Sequence, residues 1–166
     1  MINGSCRFMG HDAVEIDFVM PWVDGSDPAW REEFLKYRAL QAPQGEPACD
    51  TGTAAGAVDA SEERYRDWDT LRYWFRGVER FAPWVNRIHF ITWGHLPAWL
   101  DTAHPKLHVV RHADYIPSPY LPTFNSCPIE LNMHRIEGLA EHFVYFNDDT
   151  FLCRPVGPER FFLNGL

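Results

Sequence analysis

No run of eighteen or more apolar residues occurs in this chain, so an ordinary membrane-spanning helix is not expected. The first residues, MINGSCRFMGHDAVE, lack the basic start and apolar middle of a secretory signal. The expectation is a soluble protein of the cytoplasm, with a peripheral place at the inner membrane face left open. Blocks of Lys and Arg are missing too. Fifteen basic against twenty-three acidic side chains leave a net charge of -8, and nothing is built to follow a nucleic-acid backbone. The cysteines Cys6, Cys49, Cys127 and Cys153 are scattered, without CxxC or Cys/His finger spacing, so neither a zinc site nor a disulfide framework is indicated. An acidic protein still binds a phosphorylated metabolite when a divalent cation mediates, because the ion's charge dominates locally.

What is present is material for a core: 46% hydrophobic and 15% aromatic residues over 166 positions, about one domain's length. EIDFVMPWV (15–23) reads as a buried strand in which Pro21 signals an edge or an irregular finish. It stops at DGSDP, where Asp24-Gly25 is a turn signal and Asp27-Pro28 caps a helix through AWREEFLKYRAL. Gln41 to Glu63, rich in Gly, Ala, Pro, Thr and acid, has hardly an apolar anchor and reads as a flexible insertion within a single domain spanning 1–166. Leu71, Trp74, Phe75, Val78 and Phe81 recur at helical spacing up to Ala82-Pro83. RIHFIT and KLHVVRH are strands around a short turn at LPAWL. A Pro-rich loop leads into a helix predicted from about Asn125 to Leu139, and HFVYFN is the last strand. Strands separated by helices in this order predict an α/β sandwich of three layers with a mainly parallel sheet.

In such a sheet ligands sit beyond the carboxyl ends of the strands. Asp24 and Asp27 follow the first strand; Asn147, Asp148 and Asp149 follow the last. Adjacent carboxylates repel unless water or a cation relieves them. Hard oxygen ligands suit Mg²⁺ or Mn²⁺ shared with substrate phosphates, with Asp148 and Asp149 as the metal pair and Asp24 within reach if both strands are central. The plainer readings are a turn at Asp24-Gly25, a helix cap at Asp27 and a solvated turn at Asp148-Asp149. In RYRDWDTLRYWFR, Asp67 and Asp69 complement a helix start, and Arg72 is either a surface charge paired with an acid or a phosphate contact. In the predicted 125–139 helix, Glu130 and His134 fall one turn apart, the spacing of a general base with a carboxylate partner or of an exposed histidine with a convenient neighbour.

Three stretches taken together, DFVMPWVDGSDPAW, RYRDWDTLRYWFRGVERFAPWVNRIHFITWGHLPAWL and LPTFNSCPIELNMHRIEGLAEHFVYFNDDTFLCRPV, resemble the first two conserved regions of the Stealth proteins. These are bacterial capsular and exopolysaccharide sugar-phosphate transferases, related to the animal enzyme that tags lysosomal glycans. The resemblance covers roughly Asp17 to Val156. It implies a nucleotide-sugar-binding sheet of Rossmann-like or GT-A-like kind and transfer of a hexose-1-phosphate from a UDP-sugar to a sugar hydroxyl of a glycan, with UMP leaving and Mg²⁺ or Mn²⁺ as cofactor. The motif positions it carries over are Asp24, Gly25 and Asp27 of VDGSD, Asp67 and Arg72 of RYRDWDTLRY, Asn125 of LPTFNS, His134 and Arg135 of MHRIEGL, and Asp148 with Asp149 of NDD. Of these, Asp67, Arg72 and His134 are expected to be catalytic; Asp24, Gly25, Asp27, Asn125 and Arg135 are expected to bind substrate. Two departures stand out. Trp68, Asp69 and Thr70 replace smaller polar and acidic residues of the usual segment, and Cys127 stands where His is frequent. The family continues into two further regions that supply another His and Arg, so a downstream domain or a partner chain is expected to complete the site. A glycosyltransferase that releases UDP, and a binding module without turnover, are the alternatives.

Overall fold

The computed structural model describes residues 14–41 and 65–162. Strand β1 (Ile16–Pro21) has Phe18, Val19 and Met20 fully buried, apolar on both faces, the pattern of a strand covered on both sides. It lies inside a four-stranded sheet of order β3-β2-β1-β4, with β2 (Ile88–Thr92), β3 (Leu107–Arg111) and β4 (His142–Tyr145), and every neighbouring pair is parallel. The fold is an α/β sandwich. Pro21 therefore does not mark an edge. It is the last residue of a central strand, and the pairing with β2 runs one residue past it, the Trp22 N–H donating to the Ile91 carbonyl at 2.9 Å.

Side chains alternate between two apolar layers. Phe18, Met20 and Phe90 face Leu71, Trp74 and Val78 of helix α2 (Leu71–Phe81); Trp84 and Phe161 also pack on Phe18. Val19, Ile91 and Val110 face Tyr115 of the short α3 (His112–Tyr115), then Ile116, Met133 and Ile136. The same face holds a polar knot. Fully buried Asp17 accepts hydrogen bonds from Asn86 Nδ2, His89 Nε2 and the Ala140 N–H, each at 2.9 Å. With Nε2 of His89 donating, its Nδ1 accepts from Nδ1 of His108 at 3.0 Å. One carboxylate thus ties the amino ends of β1, β2 and β4 together.

Helix α1 (Pro28–Gln41) docks through Trp30 and Phe34, which pack with Tyr65 and Phe124. The expected insertion lies outside the described residues except for Gln41, which closes α1. The helix predicted from Asn125 to Leu139 is much shorter: α4 runs Ser126–Leu131, followed by one tight turn over Met133–Arg135. Asn132 is the cause. Its side-chain Nδ2 donates to the Pro128 carbonyl at 2.8 Å, replacing the backbone donor that would continue the helix. Glu130 and His134 therefore do not face each other across a helical turn; Glu130 Oε1 instead accepts from the Tyr145 hydroxyl at 3.1 Å. Among the described residues no helix is long and apolar enough to cross a membrane.

Candidate active site

Because β1 and β4 are paired in parallel, the turns that follow them open on one edge of the sheet. After β1 the chain folds tightly on itself. Asp24 Oδ1 accepts from the Ser26 N–H at 2.8 Å and its hydroxyl at 2.6 Å, and Asp27 Oδ1 accepts from the Trp30 N–H at 2.8 Å, capping α1. Asp24 is also held from below, where its N–H donates to His95 Nε2 at 2.8 Å, which places that ring's own proton on Nδ1. After β4, Asn147 to Thr150 form a turn closed by the Thr150 N–H and hydroxyl on the Asn147 carbonyl, at 3.1 and 2.8 Å. Asp148 and Asp149 occupy its tip.

Three adjoining recesses join these turns. One of about 300 Å³ is lined by Asp24, Gly25, Ser26, Arg31, Tyr65, Arg66 and Asp67, among others. A second, of about 490 Å³, shares Arg66 and Asp67 and adds Trp22, Trp68, Asp148, Asp149 and Phe151. A third, of about 160 Å³, shares Trp22, Tyr65 and Asp148 and reaches Asn125, Asn147, His112 and Tyr145. Asp24, Gly25, Asp67, Asn125, Asp148 and Asp149 are thus gathered from four motifs around one depression. Asn125 has a local task as well, its side chain accepting from the Cys127 N–H at 2.9 Å to cap α4.

The electrostatics agree with this crowding. The Asp148 carboxyl is raised by burial of its group, then by the charge of Asp149 and more weakly by Asp67, against a lowering hydrogen bond from its own backbone. Although the residue as a whole is open to solvent, its acid end faces like charges from two motifs. Tyr145 is raised by burial, by Glu130 and by both aspartates, so its hydroxyl keeps its proton. His112 is pushed down to about 4 by burial and by nearby His95. His95 is itself lowered by burial, against the pull of Asp27 and Asp24. The Nδ1 atoms of both histidines have no hydrogen-bond partner.

Among the described residues no three His, Cys, Asp or Glu side chains converge as a ready metal cage. A hard cation shared with substrate phosphates needs only one or two carboxylates, and the unrelieved repulsion between Asp148 and its acidic neighbours fits that open kind of site.

Other expected residues lie elsewhere. Asp27 is spent on the α1 cap. Arg72 does not line the three recesses: its guanidinium stands 5.3 Å from the Trp99 ring centroid and only 3.8 Å from Asp69 as a loose, solvent-exposed pair. His134 and Arg135 are exposed on the tight turn after α4, away from the depression. Sequence reasoning passed over Arg66, Trp22, Tyr145 and His112. Arg66 belongs to the same RYRDWDTLRY stretch as Arg72, and a cation set beside Asp67 was the available signal.

Residues 64–166 match the family model described as Stealth protein CR2, conserved region 2, and residues 14–40 match Stealth protein CR1, conserved region 1. The chain belongs to the Stealth family. This Stealth chain is 53% identical over 151 residues to a capsular polysaccharide phosphotransferase, WcwK, of Streptococcus pneumoniae, covering 91% of the chain and 42% of that protein. To a receptor polysaccharide phosphotransferase, WefC, of Streptococcus oralis it is 47% identical over 154 residues, 89% of the chain and 41% of the relative. A capsular polysaccharide phosphotransferase, eps5J, of Streptococcus thermophilus is 47% identical over 152 residues, 58% of its own length. The Stealth chain thus spans about two fifths to three fifths of these relatives. Both turns of the depression, and the Arg66-Asp67 segment between them, fall inside the matched regions.

Proposed function

We propose that this chain forms the donor-binding part of a sugar phosphotransferase of capsule or exopolysaccharide synthesis, moving hexose-1-phosphate from a UDP-sugar to a glycan hydroxyl. The observation that carries the reading is the gathering of the Asp24-Gly25 turn, Arg66-Asp67 and the Asp148-Asp149 turn around one depression in a chain about half identical to polysaccharide phosphotransferases. Asp148 and Asp149 would hold Mg²⁺ or Mn²⁺, which when bound neutralises the diphosphate. Arg66, lining both larger recesses, takes the phosphate contact expected of Arg72. In phosphoryl transfer, positioning and charge do most of the work, and an arginine at the reacting phosphate is worth about 10³-fold or more. Asn125 and the Gly25 backbone line the walls that orient the donor.

In this reaction the acceptor oxygen attacks the sugar-bearing phosphorus, the bond from that phosphorus to the bridging oxygen breaks, and UMP departs with the electron pair. The acceptor proton goes to a base. His134, exposed and outside the depression, is not placed for that task, and the reading assigns it to a downstream region or a partner chain. The test is product analysis of the chain joined to the remaining length of its relatives, supplied with UDP-sugars, Mn²⁺ and a glycan. UMP release equal to phosphodiester formed supports the proposal; UDP released mole for mole with a new glycosidic bond replaces it with glycosyl transfer.

A further inference from the structure

The acidic recess has an aromatic wall that the donor does not require. Trp68, between Asp67 and Asp69, is 69% exposed, an unusual placement for an indole in a chain with an ample core. The local backbone holds it there. Asp69 adopts φ 53°, a left-handed conformation that aspartate tolerates better than most residues, and its N–H donates to Asp67 Oδ1 at 3.0 Å. The Arg66 guanidinium, 5.1 Å from the ring centroid, covers one face of Trp68. Phe151, 37% exposed, borders the same recess. Trp22 also lines it, only 7% exposed, and its indole N–H is buried without a partner.

The chemistry of this wall selects its occupant. A phosphate meets the like charges of Asp67, Asp148 and Asp149, and enters only where a cation stands between. A neutral polyol meets no such penalty. A pyranose ring has a face of C–H groups that packs on an aromatic plane and a rim of hydroxyls that donate to carboxylates, and the recess, at about 490 Å³, has the size of a small-molecule site. We propose that Trp68 and Phe151 form the stacking platform for a neutral pyranose of the acceptor glycan, with Asp67 accepting from its hydroxyls. The word acceptor rests on the phosphotransfer reading; the platform itself does not.

The test is saturation-transfer NMR on the 166-residue chain with two probes, offered separately: a panel of neutral methyl hexopyranosides covering the common configurations, and UDP with diamagnetic Mg²⁺. Saturation is expected on the C–H face of at least one glycoside, reduced about fivefold or more in Trp68→Ala and restored in Trp68→Phe, with an unchanged thermal midpoint showing that the exposed substitution leaves the fold intact. The Trp68→Ala loss is expected for the glycoside and not for UDP. No glycoside saturation, or saturation indifferent to Trp68→Ala, overturns the platform; loss of uracil saturation instead assigns the ring to the nucleotide base. Failure of the two readings is distinguishable. UDP released in the product assay, with Trp68-dependent glycoside contact intact, removes phosphotransfer and leaves the platform; UMP released without that contact does the reverse.

Discussion

The Gly25 N–H donates to the Tyr65 carbonyl at 2.8 Å, and a Cβ on Gly25 would lie 2.5 Å from that oxygen and 2.7 Å from the Tyr65 Cβ. The turn after β1 is thereby pressed against the segment that carries Arg66 and Asp67, and only a residue without a side chain permits it.

Gly25→Ala is expected to separate these segments, costing roughly 1–3 kcal/mol of stability through overpacking and weakening UDP-sugar binding about tenfold or more. Urea unfolding and calorimetric titration in Mn²⁺ would measure both; unchanged binding would show that the contact does not shape the recess.

Asp148→Asn should abolish the Mn²⁺-dependent rise in melting point caused by UDP-sugar while leaving the ligand-free melting point level or slightly higher. The Asp148 carboxyl is raised in the folded state, by burial and then by Asp149. Its ionised form is therefore disfavoured by folding near neutral pH, and removing the charge gives up no native stabilisation there. A full ligand shift in the variant would take Asp148 out of the cation site.

Arg66 and Arg72 separate the two phosphate assignments. Arg66→Ala is expected to weaken UDP-sugar binding about 10- to 100-fold, the scale of lost hydrogen bonds to a charged group, and Arg72→Ala to leave the binding constant within about twofold. The reverse order in a titration would return the phosphate contact to Arg72.

Stability should fall in mild acid. Burial lowers His89, His95 and His112 in the folded state, so below the ordinary histidine value of 6.5 the unfolded chain takes up protons that the native one refuses. Stability is then whole above about pH 6.5 and drains as pH falls toward 4, with His112, lowered to about 4, alone accounting for roughly 3 kcal/mol. Urea midpoints at pH 7.5 and 5.0, compared with those of His112→Gln, should show a smaller acid loss in the variant.

Asp17→Ala is expected to cost about 3–5 kcal/mol, because it leaves the buried donors of His89, Asn86 and Ala140 without their acceptor. Chemical denaturation would register it, and a loss below about 1 kcal/mol would mean that the knot relaxes around the gap.

The strands were legible because their apolar runs are short and bounded by turn residues, and the polar ends at Asp24 and Asp148-Asp149 were legible because a parallel sheet sends such ends to one edge. The short α4 was not. Whether Asn132 continues a helix or gives its side-chain amide to the Pro128 carbonyl depends on a close competition between two donors, which periodicity does not record. Nor could spacing choose between Arg66 and Arg72. They share a motif and a charge, and what separates them is that Arg72 stands within α2 beside Trp99, while Arg66 lies before that helix, over the Trp68 ring and lining the recess with Asp67. Asp17, hidden within an apolar strand, gave no sign that it would be the most heavily bonded carboxylate of the core.

By itself the sequence determined the layer order, the family and the chemistry on offer, since apolar period, turn residues and oxygen-bearing side chains are local properties of the chain. Tertiary structure decided which of those side chains meet. Parallel pairing of β1 with β4, and the docking of the Tyr65–Asp67 segment on Gly25, are long-range contacts whose energy comes from burial and hydrogen bonds between segments far apart in the chain, and they alone put Arg66, Asp67 and Trp68 beside Asp148.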